Sequence, residues 1–207
     1  MDIPAEVHDF NQVIAPRCLR PGDLLLTRAV SNPLHHKKIE LEQKKFCLPQ
    51  HAMWVHATLV RQDYQFMEMT TNGLNKGFIW QYCGDHYETK IRRIRNIGER
   101  DGMRIVDFAW DITGLLIGYD FWSIVKLKFM KLPNDLHRPS GLLFTRSICS
   151  AFYVKAVQGI GVDLGRGKNP QLVTPGHLSA VELMEDVNIE WIEGRDLERD
   201  LRAAGSS

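Results

Sequence analysis

The 207-residue sequence lacks a long hydrophobic run, a signal segment and a strong excess of charge. Residues 1–10 are acidic and contain no apolar stretch of the kind that a secretory signal requires. The most apolar stretch, 115–130, is broken by Asp120, Lys126 and Lys128 and is too short to span a bilayer. We therefore expect no transmembrane segment and a chain made in the cytoplasm, whose secretion would need a route without a cleavable signal peptide.

The charges nearly cancel, with 26 Lys and Arg residues against 25 Asp and Glu residues. A protein that binds nucleic acid through its overall field carries a clear positive excess. The run 90–95 is basic, but it has no aromatic platform for bases and fits the solvated face of a strand. We expect no nucleic-acid partner.

The four cysteines, at positions 18, 47, 83 and 149, have no closely spaced pattern, so free thiols are expected. Cys47, His51, Cys83 and His86 have spacings that a zinc site tolerates, but they match no known finger pattern. The alternative interpretation is two buried thiols and two loop histidines. We expect no metal and no cofactor.

Composition and organisation indicate one folded domain over 1–207. The sequence is 44% hydrophobic and 25% charged, as globular proteins are. No internal repeat, low-complexity tract or flexible linker divides it.

Alternating apolar residues predict short strands in the first half of the chain. Residues 24–27 follow a Pro-Gly-Asp turn and form a short apolar run. The segment 52–60 alternates, and a turn at 61–63 would send 64–70 back antiparallel to it. A further strand is expected at 88–94, where isoleucine alternates with charge.

Helical periodicity predicts helices at 101–117 and 147–158, the second with Ser147 as its N-cap and Gly159 as its stop. The polar segment 34–46 fits a solvated helix or a loop. Strands in one block and helices in another are typical of the α+β class, with an antiparallel sheet or partial barrel packed against helices.

Cys149 is the cysteine that the predicted helix 147–158 places in a first helical turn. There the partial positive charge of the helix N-terminus favours thiolate over thiol. The free N–H groups, that of Cys149 included, can stabilise an oxyanion. Most cysteines at such positions are structural, so a nucleophile needs a partner base.

His56 is the candidate base. With a three-residue turn at 61–63, Val60 faces Tyr64 and His56 faces Glu68, at roughly 4.5–5.5 Å between Cβ atoms. A carboxylate there would orient the imidazole and stabilise its charged form. The alternative is an ordinary exposed His–Glu pair across two strands.

Six short motifs follow one another along the chain. They are Gly22-Asp23 before three leucines, His56 before 57–60, Glu68 ahead of Gly73, Tyr119-Asp120-Phe121, Cys149-Ser150, and Thr174-Pro175 ahead of Leu178. In this order they resemble the circularly permuted branch of the NlpC-type papain-like superfamily. That branch includes YiiX-like cysteine hydrolases and the lecithin retinol acyltransferase family.

The resemblance implies a permuted papain-like fold with Cys149 as nucleophile, His56 as base and Glu68 as the group that orients His56. Tyr119 and Ser150 are implied as oxyanion or substrate-binding groups. The sequence departs from the family at Thr58, where glycine is usual, and at 151–152, where Glu-Leu is usual.

An insertion near the site is a further expectation from the resemblance, at residues 33–50. His51, next to that segment, is a rival base. Alternation along the predicted strand places His51 on the face opposite His56, so we favour His56.

Three functions remain open at this point. The first is a thiol hydrolase that cleaves an amide or peptide bond through a thioester, with a peptide or muropeptide substrate. As an antibacterial effector acting on peptidoglycan stem peptides, it would need a delivery protein and an immunity protein. The second is a lipid acyltransferase or phospholipase with the same thiol chemistry, and the third is a non-catalytic binding module.

Overall fold

The structure, a computed structural model, describes residues 3–31, 33–70, 73–117 and 141–204. Its α-helices are α1 (Ala5–His8), α2 (Leu34–Gln43), α3 (Pro49–Ala52), α4 (Glu99–Ile117), α5 (Gly141–Gln158), α6 (Pro175–Ala180) and α7 (Leu197–Ala204). Its strands are β1 (Val13–Ile14), β2 (Leu24–Ala29), β3 (His56–Val60), β4 (Gln65–Thr70), β5 (Gly73–Phe78), β6 (Tyr87–Ile94), β7 (Met184–Asp186) and β8 (Trp191–Ile192).

Six of the strands form one antiparallel sheet in the order β5-β4-β3-β2-β6-β7, and β1 pairs separately with β8. The predicted α+β class is confirmed. Within the described residues the sheet does not close into a barrel, because β5 and β7 remain its two edges.

The sheet buries both of its faces, which explains why β2 is an unbroken apolar run. Leu24 and Leu26 point into one apolar cluster with residues of α4 and α5. Leu25 points into a second cluster on the other face, together with Phe66 and Trp80. Since successive side chains alternate between faces, a strand between two cores needs apolar residues at every position.

The turn before β2 is held by close main-chain packing against α4. Gly22 has φ +88°, and a Cβ on it would lie 2.8 Å from the Cα of Gly102. A Cβ on Gly102 would lie 2.0 Å from the main-chain oxygen of Pro21. Asp23 is buried and forms two hydrogen bonds with Arg93, at 2.8 and 2.7 Å. Two glycines therefore let the helix rest directly on the turn.

Several predicted boundaries differ from the structure. The strand expected at 52–60 begins at His56, because Pro49 starts the short helix α3 instead. The polar segment 34–46 is largely helical, as α2. Strand β5 was not predicted. None of the helices in the described ranges has the length and apolar character needed to cross a membrane.

Candidate active site

His56 is the first residue of β3 and pairs with Thr27 of β2. Its side chain is 25% exposed, and its Nε2 lies 2.5 Å from Oε2 of Glu68. The structure therefore brings together the two residues that the sequence proposed as base and orienting group.

The register between β3 and β4 differs from the predicted one. Leu59 pairs with Met67 and Val60 with Phe66, so the prediction that Val60 faces Tyr64 is wrong. Tyr64 belongs to the turn and, like Asp63 before it, has a positive φ. The register shift is two residues, and side chains alternate with a period of two, so Glu68 stays on the face of His56.

Glu68 is 3% exposed, and its carboxylate has four hydrogen-bond partners. Oε2 accepts from Thr58 at 3.0 Å and from Tyr82 at 2.6 Å as well as facing His56, and Oε1 accepts from Asn75 at 2.8 Å. Burial alone would raise the pKa of Glu68, but the hydrogen bond and charge of His56, with Tyr82 and Asn75, lower it to about 2. The group is held as a carboxylate.

Tyr82 and Asn75 contact Glu68 at the candidate site, and neither was predicted from the sequence. Asn75 lies directly opposite Glu68 in the β4–β5 pair, a register in which Thr70 pairs with Gly73. The Asn-Gly dipeptide ending at Gly73 favours a hairpin turn, but a two-residue turn centred on it would place Gly77 opposite Glu68, so it does not locate Asn75. Tyr82 ends the short 3-10 helix Ile79–Tyr82, where no sequence pattern pointed to the site.

Cys149 is buried in α5, and its position in that helix corrects the sequence analysis. The helix begins at Gly141, about two turns before Cys149, and not at Ser147. No Pro or Gly lies between Gly141 and Ser147, so nothing in that sequence stops the helix from forming earlier. The predicted position of Cys149 in the first turn of a helix, where its own N–H would be free to bind an oxyanion, is therefore wrong.

His56 nevertheless interacts with Cys149, because α5 packs across β3 and β4. Burial lowers the pKa of His56, but charge interaction and a hydrogen bond with Cys149, together with those of Glu68, outweigh it and raise the pKa to about 10. The imidazole is thus stabilised in its charged form between a sulfur and a carboxylate. This arrangement places a base beside a thiol, with a carboxylate on the other side of the ring.

The two other residues proposed for the site differ in status. The Ser150 hydroxyl is buried and donates to the main-chain oxygen of Val173 at 2.5 Å, a contact that favours a packing role. Tyr119 lies outside the described residues.

His51, the rival base, lies in helix α3 and not on a strand, so the alternation argument applied to it was wrong. Its Nδ1 is 2.9 Å from Oγ of Ser179. Burial lowers its pKa, and the nearby charges of Lys90 and Arg92 add to that effect. His51 thus belongs to a different polar contact from the His56–Glu68 pair.

Gln43 ties the segment 33–50 to the chain that leads into His56. Its fully buried amide donates to the main-chain oxygens of Ala52, at 2.9 Å, and Trp54, at 2.7 Å. The amide oxygen accepts from the N–H of Gly176 in α6 at 2.8 Å. These bonds fix the approach of the main chain to β3.

The fold does not bring the candidate zinc ligands Cys47, His51, Cys83 and His86 together as a metal site. Cys83 lies in the second apolar cluster, where its sulfur accepts from the N–H of Ile14 and burial raises its pKa to about 11. Among the residues that the structure describes, no group of three or more His, Cys, Asp and Glu side chains is arranged to hold a metal ion.

The structure shows what surrounds the residues that differ from the motifs of the resembled family. Thr58, where glycine is usual, supplies one of the hydrogen bonds to Glu68. Ala151 and Phe152 are both buried in the apolar cluster that also contains Cys149. Comparison of the chain with protein-family models, with curated proteins and with solved structures found no match in any of the three.

Proposed function

We propose that this protein is a cysteine hydrolase with a permuted papain-like fold that cleaves an amide or peptide bond through a thioester. The observation that carries the proposal is the connected group Cys149, His56 and Glu68, in which one imidazole interacts with both a thiol and a buried carboxylate. A nucleophile, a base and a group that orients the base are the parts that thiol hydrolysis needs.

In the first half of the proposed reaction, the thiolate of Cys149 attacks the carbonyl carbon of the substrate. The proton from the thiol resides on His56. Because Nε2 faces Glu68, Nδ1 is the ring nitrogen proposed to carry it. When the tetrahedral intermediate collapses, His56 gives this proton to the leaving amine, the C–N bond breaks and a thioester remains on Cys149.

In the second half, neutral His56 takes a proton from a water molecule, whose oxygen attacks the thioester carbon. Collapse breaks the C–S bond, releases the carboxylic acid product and restores the thiolate–imidazolium pair. Glu68 keeps its charge throughout and stabilises the imidazolium each time it forms. Tyr119 remains the proposed donor for the oxyanion, on the strength of the resemblance.

The hydrogen-bond donors around the buried carboxylate of Glu68 support this assignment of roles. Thr58, Tyr82 and Asn75 hold both carboxylate oxygens, so the carboxylate is fixed in position before any substrate binds. An imidazole hydrogen-bonded to a fixed carboxylate has a fixed tautomer and ring orientation. Such preorganisation has no evident use in an ordinary surface His–Glu pair.

For the substrate we propose peptides, with peptidoglycan stem peptides the first class to test. In that role the protein would act as an antibacterial effector carried by a delivery protein and countered by an immunity protein. The lipid acyltransferase relatives generally carry a histidine at the position of Glu68, which favours the amide substrate over a lipid ester.

The test is product analysis by mass spectrometry after incubation with purified muropeptides, a peptide-amide library and phospholipid vesicles. We expect new amine and carboxylate ends in a peptide, and no fatty-acid release. Cys149→Ala and His56→Ala should abolish turnover, whereas Cys47→Ala, a matched change at another cysteine, should preserve it. Fatty-acid release would favour the lipase alternative. Muropeptide binding that survives Cys149→Ala, without any turnover by the wild type, would favour a binding module.

A further inference from the structure

Helix α2 presents a face of mixed leucine and lysine to solvent. Leu34 is 77% exposed and Leu41 is 61% exposed. Lys37 and Lys38 are also exposed and lie between them at the spacing i, i+3, i+4, i+7, which places all four side chains on one face of a helix. We call these four residues the α2 face.

The opposite side of α2 is anchored in the protein, so the α2 face has a fixed orientation. Ile39 and Gln43 are buried. The hydrogen bonds of Gln43 to Ala52, Trp54 and Gly176 oppose a rotation of the helix about its axis that would bury the two leucines. The exposure of the two leucines is therefore a property of the folded protein.

The positive charge of the α2 face is not neutralised within the protein. The two acidic residues of the helix, Glu40 and Glu42, form ion pairs at 2.7 Å with Lys44 and Lys45. Lys37 and Lys38 form no ion pair with any residue in the described part of the chain. The chain as a whole carries a net charge of only +1, so this charge is a local feature.

Leucine and lysine together are the composition of a surface that binds a lipid interface. A soluble polyanion would use the lysines and leave the leucines without a role. A protein partner is less well matched, because lysine is depleted in protein–protein interfaces. At a bilayer surface, by contrast, leucines enter the acyl boundary while lysine stems extend toward anionic headgroups.

We propose that the α2 face docks on the surface of an anionic lipid bilayer. Phe46 and Leu48, which follow the helix and are exposed, add apolar area to the same segment. Gln43 binds the main chain of Trp54, two residues before His56, so a hydrogen bond links the docked helix to the segment that leads into the candidate active site. The proposal does not depend on the chemistry at Cys149.

Vesicle co-sedimentation of the full chain tests this proposal. We expect binding to phosphatidylcholine vesicles that contain phosphatidylglycerol, weakening as salt is added, and little binding to phosphatidylcholine alone. The double variant Lys37→Gln/Lys38→Gln should lower the partition coefficient by about 25-fold, at about fivefold per lysine. Leu34→Ser/Leu41→Ser should lower it by at least tenfold, an order-of-magnitude expectation for two lost leucines.

The matched control is Lys155→Gln with Leu183→Ser, two exposed residues elsewhere on the protein, which should bind like the wild type. Failure of the wild type to bind the anionic vesicles would overturn the proposal, as would equal loss in the control. A dimer in light scattering that Leu34→Ser/Leu41→Ser dissociates, without vesicle binding, would instead assign the face to a second copy. Cys149→Ala should bind vesicles normally even if it loses turnover, and loss of its binding would also overturn the proposal.

Discussion

Thr58 donates its hydroxyl hydrogen to Oε2 of Glu68 across 3.0 Å, from the position next to the Leu59–Met67 pair in the register of β3 and β4. The same oxygen also faces His56 and accepts from Tyr82. A glycine at position 58 would leave that oxygen one donor short. Threonine at position 58 therefore strengthens the support of the carboxylate and leaves His56 in contact with it.

Replacing Tyr82 by Phe should weaken this support while keeping the ring packing against Phe66 and Tyr87. Glu68 would lose one hydrogen-bond donor, so its pKa should rise from about 2. When the solution is acidified, the variant should therefore unfold at a higher pH than the wild type. We expect a cost of about 1.5 to 3 kcal/mol near neutral pH, as for a hydrogen bond to a charged group. Urea unfolding at a series of pH values, roughly one unit apart between pH 3 and 7, measures the loss of stability and its dependence on pH. Tyr87→Phe is the matched control, and an equal loss in that variant would contradict the assignment.

Cys149 should react with iodoacetamide faster than Cys83, which is buried to a similar degree. The imidazole of His56 interacts with the sulfur of Cys149, and in the proposed site it would take the proton of the thiol to leave the reactive thiolate. We expect His56→Ala to slow labelling of Cys149 by about tenfold or more near pH 6, and Glu68→Gln by a smaller factor. Labelling is read for each cysteine by mass spectrometry, with Cys47 as the internal reference. Labelling of Cys149 that is unchanged in His56→Ala would show that the imidazole does not activate the thiol.

Stability should depend on pH in a way that separates His56 from Glu68. The pKa of His56 is raised from 6.5 to about 10, so its contribution is complete below pH 6.5 and is lost as the pH rises toward 10. The pKa of Glu68 is lowered from 4.5 to about 2, so its contribution is complete above pH 4.5 and is lost as the pH falls toward 2. Together they predict maximal stability between pH 4.5 and 6.5.

Two variants assign the limbs of this profile. His56→Ala should remove the alkaline decline and also weaken the acid decline, because His56 is the main group that lowers the pKa of Glu68. Glu68→Gln should remove the acid decline and only weaken the alkaline one, because Cys149 also raises the pKa of His56. Denaturant unfolding at several pH values measures the free energy of unfolding for each protein. An alkaline decline that persists in His56→Ala would have to come from another group and would contradict the prediction.

Gln43→Ala should destabilise the protein and disturb the site. It leaves the main-chain oxygens of Ala52 and Trp54 and the N–H of Gly176 without their partner. We expect a loss of about 2 to 4 kcal/mol, since buried polar groups would be left unpaired and a cavity would form. Thermal unfolding measures the loss, and slower labelling of Cys149 would show that the support extends to His56. Gln62→Ala, at an exposed glutamine of the β3–β4 turn, should have little effect.

Gly102→Ala should separate helix α4 from the turn before β2. The added Cβ would meet the main-chain oxygen of Pro21 at 2.0 Å, a contact that only backbone movement can relieve. We expect a loss of about 1 to 3 kcal/mol, the range for overpacking in a tight core. Gly98→Ala is the control, since a Cβ there has nothing within 4 Å. Equal unfolding midpoints for the two variants would contradict this account.

The sequence predicted the parts of the fold that local patterns encode. The apolar run of β2 and the alternation of β6 follow directly from which residues face a core. The contact between His56 and Glu68 was also expected, although through the wrong register. A register error of two residues was harmless because the two faces of a strand repeat with that period.

The sequence-based predictions were wrong or incomplete where contacts between residues far apart in the sequence decide the structure. The true turn uses Tyr64 at a positive φ, a conformation unusual for a bulky residue, which is held here by burial and by a hydrogen bond to Ile14. Ser147 looked like a cap, yet α5 begins earlier. Tyr82 reaches Glu68 only because the sheet and a short 3-10 helix meet there, and no local pattern encodes that meeting.

The amide of Gln43 joins parts of the chain that are very far apart in sequence, since its partner Gly176 lies 133 residues later. Closing a loop of that length carries an entropic cost before any contact can offset it, so this bond belongs to a late stage of folding. During synthesis, residues 43 and 56 leave the ribosome long before residue 176 does. The main chain ahead of His56 therefore lacks its full set of hydrogen bonds until residue 176 has been made.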